Sequence, residues 1–213
     1  MNQVTLFAHI AEAFLPQMSN GLNEIKTKIR NLSLNTNEWK RGLGDSEESL
    51  ASAVLIPLIV KENELAILLT KRSAYLDRHS GQISFPGGVI ESGDCTPLDT
   101  AFRETNEEIG IQKNQIELLG SLEPFNSKTG FFIYPFIGWI EDLNGLKISS
   151  IEVDKILCIP LPWLNNPNNF TQEDYIGTNG FKKKVWVYTP FEGETVWGIT
   201  AKIIQDFLYL IKN

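Results

Sequence analysis

One stretch, residues 96–110, constrains the fold of this chain more than any other, because both ends of a helix can be identified in it. Thr96 is a favoured N-cap residue, Pro97 suits the first helical position, and Asp99 supplies an acid three residues after the cap. Gly110 lies where a left-handed glycine commonly ends a helix. The residues at helical spacing between these ends are mostly apolar: Leu98, Ala101, Phe102, Thr105 and Ile109. We therefore predict a helix that packs this face on a larger core.

The predicted helix also carries three glutamates, Glu104, Glu107 and Glu108, at positions i, i+3 and i+4. This spacing brings carboxylates to one side of a helix, where each like-charged pair destabilises an isolated helix by roughly 0.2–0.5 kcal/mol. Glu108 lies closest to the apolar face and Glu107 furthest from it. The simplest alternative is an ordinary acidic surface. Because a hard cation that takes oxygen ligands would offset the repulsion, we predict that these acids hold a metal ion.

The composition restricts both the metal and the partners. The chain has 213 residues and a formal net charge of −7, so broad electrostatic binding to nucleic acid or to an anionic membrane is not expected. An anionic small-molecule substrate is compatible with this charge, because a divalent ion reverses the local potential. Cys95 and Cys158 give no disulfide framework, and with only two histidines no zinc site is expected. Carboxylate ligands favour Mg²⁺ or Mn²⁺.

Two address signals are absent from the sequence. It shows neither a secretory signal pattern nor an apolar run of about 20 residues. We expect a cytoplasmic protein without a membrane segment.

Residues 1–50 differ in pattern from residues 51–213. Apolar residues recur at helical spacing in two groups: Leu6, Ile10 and Phe14, then Leu22, Ile25 and Ile29. We predict that residues 1–50 form an extension of accessory helices and that residues 51–213 form the main domain. The extension either packs on that domain or forms a dimer contact, so a homodimer stays open.

Short apolar and β-branched segments in the main domain predict a sheet. The predicted strands cover Ala53–Val60, Glu64–Thr70, Ile116–Leu122, Gly130–Ile140, Lys155–Leu161 and Lys182–Tyr188, and a last helix covers Ile199–Ile211. The first two strands are joined as a hairpin. Strands interspersed with helices indicate an α/β fold, here an α/β/α sandwich with a mixed sheet.

The acidic helix and the residues before it resemble the Nudix box, the motif of hydrolases that act on nucleoside diphosphates linked to another group. The match consists of Gly88, Asp94 and then Arg103-Glu104-Thr105-Asn106-Glu107-Glu108-Ile109-Gly110-Ile111. Asp94 replaces the usual glutamate, and the stretch from Asp94 to Arg103 is one residue longer than usual. This departure is typical of one branch of the family, the coenzyme A diphosphatases.

That branch also has an upstream motif. The chain matches it at Leu68-Leu69-Thr70-Lys71-Arg72-Ser73, Leu76, His79, Gly81 and Phe85-Pro86-Gly87-Gly88. Asp77 stands where a basic residue is more usual. Similarity continues to Trp197-Gly198-Ile199-Thr200-Ala201, so the resemblance covers roughly residues 50–211.

The resemblance implies a Nudix-type fold and an enzyme that hydrolyses the pyrophosphate of coenzyme A, or of its acyl or oxidised forms. The products would be 3′,5′-ADP and 4′-phosphopantetheine, and the cofactor Mg²⁺ or Mn²⁺. Glu104 and Glu108 match the principal metal ligands, and Glu107 matches the neighbouring acid of the box. The general base is left open among Glu107, Glu152 and Glu173.

Four further residues are predicted to form the substrate-binding site. Arg72 and His79 would contact its phosphates or adenine, and Gly87 and Gly88 would allow a close approach that a side chain would block. Trp197 is interpreted as a core or helix-start residue rather than a surface that stacks on a base. Two other functions stay open: hydrolysis of ADP-ribose, NADH or a nucleoside triphosphate, and a sensor that binds its ligand without turnover.

Overall fold

The computed structural model describes residues 21–31, 50–75, 80–127, 130–176, 180 and 182–212. Its strands are β1 (Leu50–Lys61), β2 (Glu64–Arg72), β3 (Ile83–Ser84), β4 (Gly87–Val89), β5 (Ile116–Ser121), β6 (Phe125–Asn126), β7 (Phe131–Ile140), β8 (Val153–Pro160), β9 (Phe170–Ile176) and β10 (Lys182–Tyr188). Its helices are α1 (residues 21–31), α2 (Pro97–Ile109), α3 (Leu161–Asn165) and α4 (Gly198–Lys212).

Eight of these strands form one mixed sheet, whose main path runs β3-β2-β1-β7-β5. Strand β1 pairs in parallel with β7, from Leu50 opposite Phe131 to Leu58 opposite Trp139, and the other pairings in this sheet are antiparallel. Strands β8, β4 and β6 add to β2, β1 and β7, respectively. Strands β9 and β10 form a separate antiparallel hairpin.

Helices cover both faces of the sheet. Alternate residues of β1 belong to opposite core clusters, with Ile56 and Leu58 on one side and Leu55 and Ile59 on the other, as the two-residue period of a strand requires. The second of these clusters contains the apolar face of α2, and the first contains that of α4. Ile29 of α1 is fully buried in the same cluster as α4. The predicted α/β/α sandwich with a mixed sheet is confirmed.

The predicted boundaries of α2 are also confirmed. Thr96 caps the helix, with its Oγ1 accepting a hydrogen bond of 3.3 Å from the backbone N–H of Asp99. Gly110 ends the helix at a φ of 77°, a left-handed conformation that glycine adopts without steric cost. The capped helix therefore has a fixed length and position on the sheet.

Strand β9 and the short elements β3, β4, β6 and α3 were not predicted. The side chains of β9 from Thr171 to Ile176 are exposed, so this strand lacks the apolar alternation by which half-buried strands are recognised. Its main-chain partner is β10, whose predicted bounds are those observed. Among the described helices, none is long and apolar enough to cross a bilayer.

Candidate metal and catalytic site

Glu108 is a buried acid of α2 and lies against the end of β2. The residue is only 3% exposed, and Thr70 Oγ1 donates a hydrogen bond of 3.1 Å to Glu108 Oε2. The backbone of Gly87 lies near enough to the same carboxylate to act on its pKa. Burial raises the pKa of Glu108 to about 7, although Thr70 and the positive charge of Arg72 act to lower it. The fold therefore buries the Glu108 carboxyl group in surroundings that disfavour its ionised form.

Glu104 lies one helical turn before Glu108 and faces β4. A Cβ atom at Gly88 would lie 2.2 Å from Glu104 Oε1, and a Cβ at Gly87 would lie 2.3 Å from the backbone oxygen of Ala53. Both distances are too short for a Cβ unless a neighbour moves: at Gly88 this neighbour is the flexible end of Glu104, and at Gly87 it is the backbone. Because neither glycine has a Cβ, β4 can lie directly against the acidic side of α2 and against β1. The close approach of a substrate at these glycines stays a prediction.

Arg103 links the acid of the preceding loop to the acids of α2. Its Nε donates to Asp94 Oδ1 at 3.1 Å and its Nη2 to Asp94 Oδ2 at 3.0 Å. Its Nη1 donates to Glu104 at 2.9 Å and to Glu107 at 3.1 Å. The bond to Arg103 lowers the pKa of Asp94 to about 2, and the bond to Asp94 raises the pKa of Arg103. Asp94 thus holds the guanidinium group of Arg103 beside the glutamates.

The three glutamates of α2 differ in exposure as their helical positions predict. The Glu107 side chain is 48% exposed and that of Glu104 is 16% exposed, whereas Glu108 is buried. Burial raises the pKa of Glu104, and the negative charges of Glu107 and Glu152 act in the same direction, while Arg103 acts to lower it. Glu107 therefore lies at the outer rim of the site, and Glu104 and Glu108 form its inner part.

Glu152 reaches the site from the loop before β8. Its backbone oxygen accepts a hydrogen bond of 2.8 Å from Ser73, and its backbone N–H donates to Ser149 at 3.0 Å. Ser149 in turn donates from its backbone to the backbone oxygen of Glu108 at 2.9 Å. These bonds tie the loop to both β2 and α2, so the half-buried Glu152 is held close enough for its charge to act on Glu104.

Arg72 connects the acids with a neighbouring cavity. The cavity has a volume of about 330 Å³ and is lined by residues of β1, β2, β3, β4, β7, β9, β10 and α4, Arg72 and Gly87 among them. Arg72 Nε is buried and has no hydrogen-bond partner among the described residues. An unsatisfied buried donor is unfavourable, and Arg72 is therefore suited to receive an anionic group that enters from the cavity.

Several known proteins are similar to this chain in sequence. The NUDIX domain family matches residues 49–149, which include the acidic helix and β4. The uncharacterized Nudix hydrolase NudL of Photorhabdus laumondii is 35% identical over 161 residues, which are 76% of this chain and 84% of that protein. The chain belongs to the Nudix hydrolase family. A protein of the same name from Citrobacter koseri is 36% identical over 163 residues, 76% of this chain and 83% of its own length.

The Nudix fold also extends beyond the matched segment. The crystal structure of a MutT/nudix family protein from Enterococcus faecalis covers 90% of this chain and 74% of its own, with a TM-score of 0.52 and 17% identity. At this identity the similarity shows the fold alone. Nudix hydrolases cleave nucleoside diphosphate derivatives, and they generally use divalent metal ions such as Mg²⁺ or Mn²⁺.

The side chains at this site are of the kind that binds such an ion. Glu104 and Glu108 supply carboxylate oxygens, the ligands that Mg²⁺ and Mn²⁺ prefer. In the described part of the chain, no three His, Cys, Asp or Glu side chains are grouped closely enough to hold an ion by themselves. Mg²⁺ is usually bound through one or two carboxylates together with water and substrate phosphates. The buried Glu108 and the half-buried Glu104, one helical turn apart, agree with that mode of binding.

Not every predicted site residue can be placed. His79 and Asp77 lie outside the described residues. Glu173 lies on β9 opposite Val185, with an exposed side chain, so it belongs to the separate hairpin rather than to the acidic helix. The roles of Arg72, Gly87, Gly88 and the four glutamates in binding and catalysis stay predictions.

Three other residues of the Nudix site were not singled out from the sequence. Thr70 was noted only as part of a motif, and its bond to Glu108 follows from the packing of β2 on α2. Tyr175 and Lys183 line the cavity from β9 and β10. Neither strand has a motif that marks these two side chains in advance. Trp197, interpreted as a core or helix-start residue, also lines this cavity.

Proposed function

We propose that this protein is a coenzyme A diphosphatase that uses Mg²⁺ or Mn²⁺ to hydrolyse the pyrophosphate of coenzyme A. The observation that carries the proposal is a contact between the two motif segments. Thr70, from the upstream motif, donates to Glu108 of the Nudix box, 38 residues later in the sequence. The backbone of Gly87, near the end of the upstream motif, also acts to lower the pKa of this carboxylate. This contact supports one site to which both motifs that resemble the coenzyme A branch contribute.

In this proposal Glu104 and Glu108 would hold the metal ion, and Glu107 at the rim would add a third carboxylate. When bound, the ion would neutralise phosphate oxygens and lower the pKa of an attacking water. Arg72 binds a phosphate of the pyrophosphate, which is consistent with its buried Nε and its place on the cavity wall. Arg103, held by Asp94, fixes the orientation of Glu104.

Among the three candidates for the general base we favour Glu152. Its loop is anchored to β2 and to α2, and its charge acts on Glu104. Glu107 is engaged by Arg103, and Glu173 lies on an exposed strand of the other sheet. A carboxylate that is fixed beside the metal ligands can accept the proton of the attacking water.

The substrate is tested by a panel under one set of conditions. The full-length protein is incubated with Mg²⁺ or Mn²⁺ and with coenzyme A, acyl-coenzyme A, oxidised coenzyme A, ADP-ribose, NADH or a nucleoside triphosphate, and the products are separated chromatographically. We expect 3′,5′-ADP and 4′-phosphopantetheine from coenzyme A, with kcat/KM above that of the other nucleotides. Efficient cleavage of another nucleotide without release of 3′,5′-ADP from coenzyme A would reject the proposal, and binding without any turnover would favour a sensor.

The base is tested by Glu152→Gln, which removes the proton acceptor and keeps the size of the side chain. We expect kcat to fall by about 10²–10⁴-fold, the range for loss of a general acid or base. The Mg²⁺-dependent rise in melting temperature should persist, because Glu104 and Glu108 are unchanged. The same loss in Glu173→Gln, with normal turnover in Glu152→Gln, would transfer the role to Glu173.

A further inference from the structure

Two cavities meet beside the β9–β10 hairpin. The first, described above, extends from Arg72 to Tyr175 and Trp197. The second has a volume of about 290 Å³ and lies between β10, the start of α4 and the β6 region. Both are lined by the same four residues, Lys183, Val185, Gly198 and Ile199. The two cavities are therefore neighbours that share part of one wall.

The first cavity has an aromatic wall on the side away from the acids. The rings of Tyr175 and Trp197 lie 5.6 Å apart between centroids, with an angle of 35° between their planes. Together they offer a broad π surface next to apolar side chains of β3 and α4. Bases stack on aromatic side chains with little dependence on their sequence identity, because every base has a π face. A nucleobase is thus the chemical group that this wall suits.

The second cavity brings lysines together in a chain whose net charge is −7. Lys184 donates to Asp174 at 3.1 Å, and Lys202 is bound to Asp206. Lys183 has no carboxylate partner among the described residues, and its ammonium lies 5.1 Å from the centre of the Tyr175 ring. Lys183, a residue that lines both cavities, therefore has an ammonium group available to an anion directly beside the aromatic wall.

We propose that the first cavity is a subsite for a purine nucleotide that carries an additional phosphate on its ribose. Tyr175 and Trp197 stack on the base, and Lys183, beside the Tyr175 ring, binds the ribose phosphate. This inference rests on the proposed function, because Arg72 places the pyrophosphate at the near end of the same cavity. It makes Lys183 the residue that distinguishes 3′-phosphorylated substrates, such as coenzyme A, from their dephosphorylated counterparts.

Binding without turnover tests the subsite independently of catalysis. The full-length protein in EDTA is titrated by calorimetry with 3′,5′-ADP and with AMP, which differ only in the 3′-phosphate. We expect 3′,5′-ADP to bind at least about tenfold more tightly, since a charge-assisted contact is worth that much. Lys183→Ala should abolish this preference, and Lys183→Arg should retain most of it. Lys182→Ala, which removes the same charge from a neighbouring position that lines neither cavity, is the matched control and should keep the preference.

The aromatic wall is tested by Tyr175→Leu, which removes the ring from a partly exposed position. We expect 3′,5′-ADP and AMP to lose affinity by the same factor, about tenfold or more, and the tryptophan fluorescence change on binding to diminish. In steady-state assays, Lys183→Ala should raise KM for coenzyme A and leave that for dephospho-coenzyme A nearly unchanged.

The results separate the subsite from the proposed function. Equal affinity of the wild type for the two nucleotides would overturn the subsite, as would an equal effect of Lys183→Ala on both. A Lys183-dependent preference for 3′,5′-ADP in a protein that fails to cleave coenzyme A would support the subsite and reject the proposed reaction.

Discussion

Single residues in this site are tuned mainly by burial. Glu108 and Glu107 are neighbours in sequence, yet only Glu108 is buried, and this burial raises the pKa of Glu108 to about 7. Asp94 lies in a similar position beside a helix, but its pKa is lowered to about 2 because it accepts hydrogen bonds from Arg103. The same chemical group is thus suited to hold a metal ion in one place and an arginine in the other.

Removal of the proposed metal ligand Glu108 should uncouple the stability of the protein from Mg²⁺. The ion should raise the melting temperature of the wild type by mass action, because it binds the folded state preferentially. Glu108→Gln should lose most of this rise and should lower kcat by ~100-fold or more, as for loss of one electrostatic contact to the transition state. Thermal unfolding with saturating Mg²⁺ and with EDTA provides the measurement. Glu64→Gln, at the other end of β2 from Thr70, is the control; an unchanged shift in Glu108→Gln would contradict the assigned metal site.

The Asp94–Arg103 pair should make the free energy of unfolding depend on pH in the acidic range. The folded pKa of Asp94, about 2, lies below its ordinary value of 3.8, so its stabilising contribution is present above pH 4 and is lost as the pH falls toward 2. By linkage this contribution is about 2 kcal/mol at neutral pH. Asp94→Asn should therefore be less stable than the wild type by that order at pH 7, and the gap should narrow below pH 4. Urea unfolding of both proteins from pH 7 to below pH 4 measures this difference. A difference in stability that does not change with pH would refute the explanation.

At the level of secondary structure, the contact between β4 and α2 shapes the site. Two adjacent glycines of β4 serve different neighbours: Gly88 lies against the flexible end of Glu104, and Gly87 lies against the backbone of β1. A side chain end can move at small cost, whereas a strand in a sheet cannot. A side chain added at Gly88 should therefore mainly disturb function, whereas one added at Gly87 should mainly reduce stability.

Alanine at each glycine should show this separation. Gly87→Ala should destabilise the protein by about 2–3 kcal/mol, because its Cβ would lie 2.3 Å from a backbone oxygen and 2.7 Å from Val54 Cα. Gly88→Ala should cost less than about 1 kcal/mol but should lower kcat roughly tenfold or more, since Glu104 must leave its position. Denaturant unfolding and steady-state kinetics on both variants decide the matter; the reverse pattern would be inconsistent with the contacts described.

In the whole molecule, α1 is joined to the main core although it precedes the family-matched segment, residues 49–149. Ile29 is fully buried in the cluster that contains α4, and Lys26 of the same helix donates to Glu117 of β5 at 3.0 Å. Residues 1–20 and 32–49 lie outside the described residues. The division of the chain at residue 50 and a role of the extension in a homodimer therefore stay predictions.

Truncation of Ile29 tests whether α1 belongs to the cooperative core. Ile29→Ala should lower the free energy of unfolding by about 2–4 kcal/mol and should leave a single transition, because the helix unfolds together with the sheet. Glu24→Ala, an exposed position of the same helix, should change stability by less than about 0.5 kcal/mol. A separate early transition, or no loss of stability in Ile29→Ala, would show that α1 unfolds independently.

Much of this architecture follows from local sequence patterns. The ends of α2 depend on Thr96, Pro97 and Gly110, whose preferences are local, and the hairpin of β1 and β2 follows from two apolar runs around a turn. The order of exposure from Glu108 to Glu107 follows from the helical period alone. Strand β9 escaped prediction because its exposed side chains carry no alternation, and its existence depends on pairing with β10.

The sequence by itself determined the α/β fold, the capped acidic helix and the membership of Glu104 and Glu108 in a family motif, because each of these depends on residues close together in the chain. Only the tertiary structure brought Thr70 and Gly87 to Glu108, tied Asp94 to Arg103, and set Tyr175, Trp197 and Lys183 around one cavity. Those contacts join residues up to 38 positions apart in the sequence, and their distances are fixed by how the helices and the hairpin pack against the sheet.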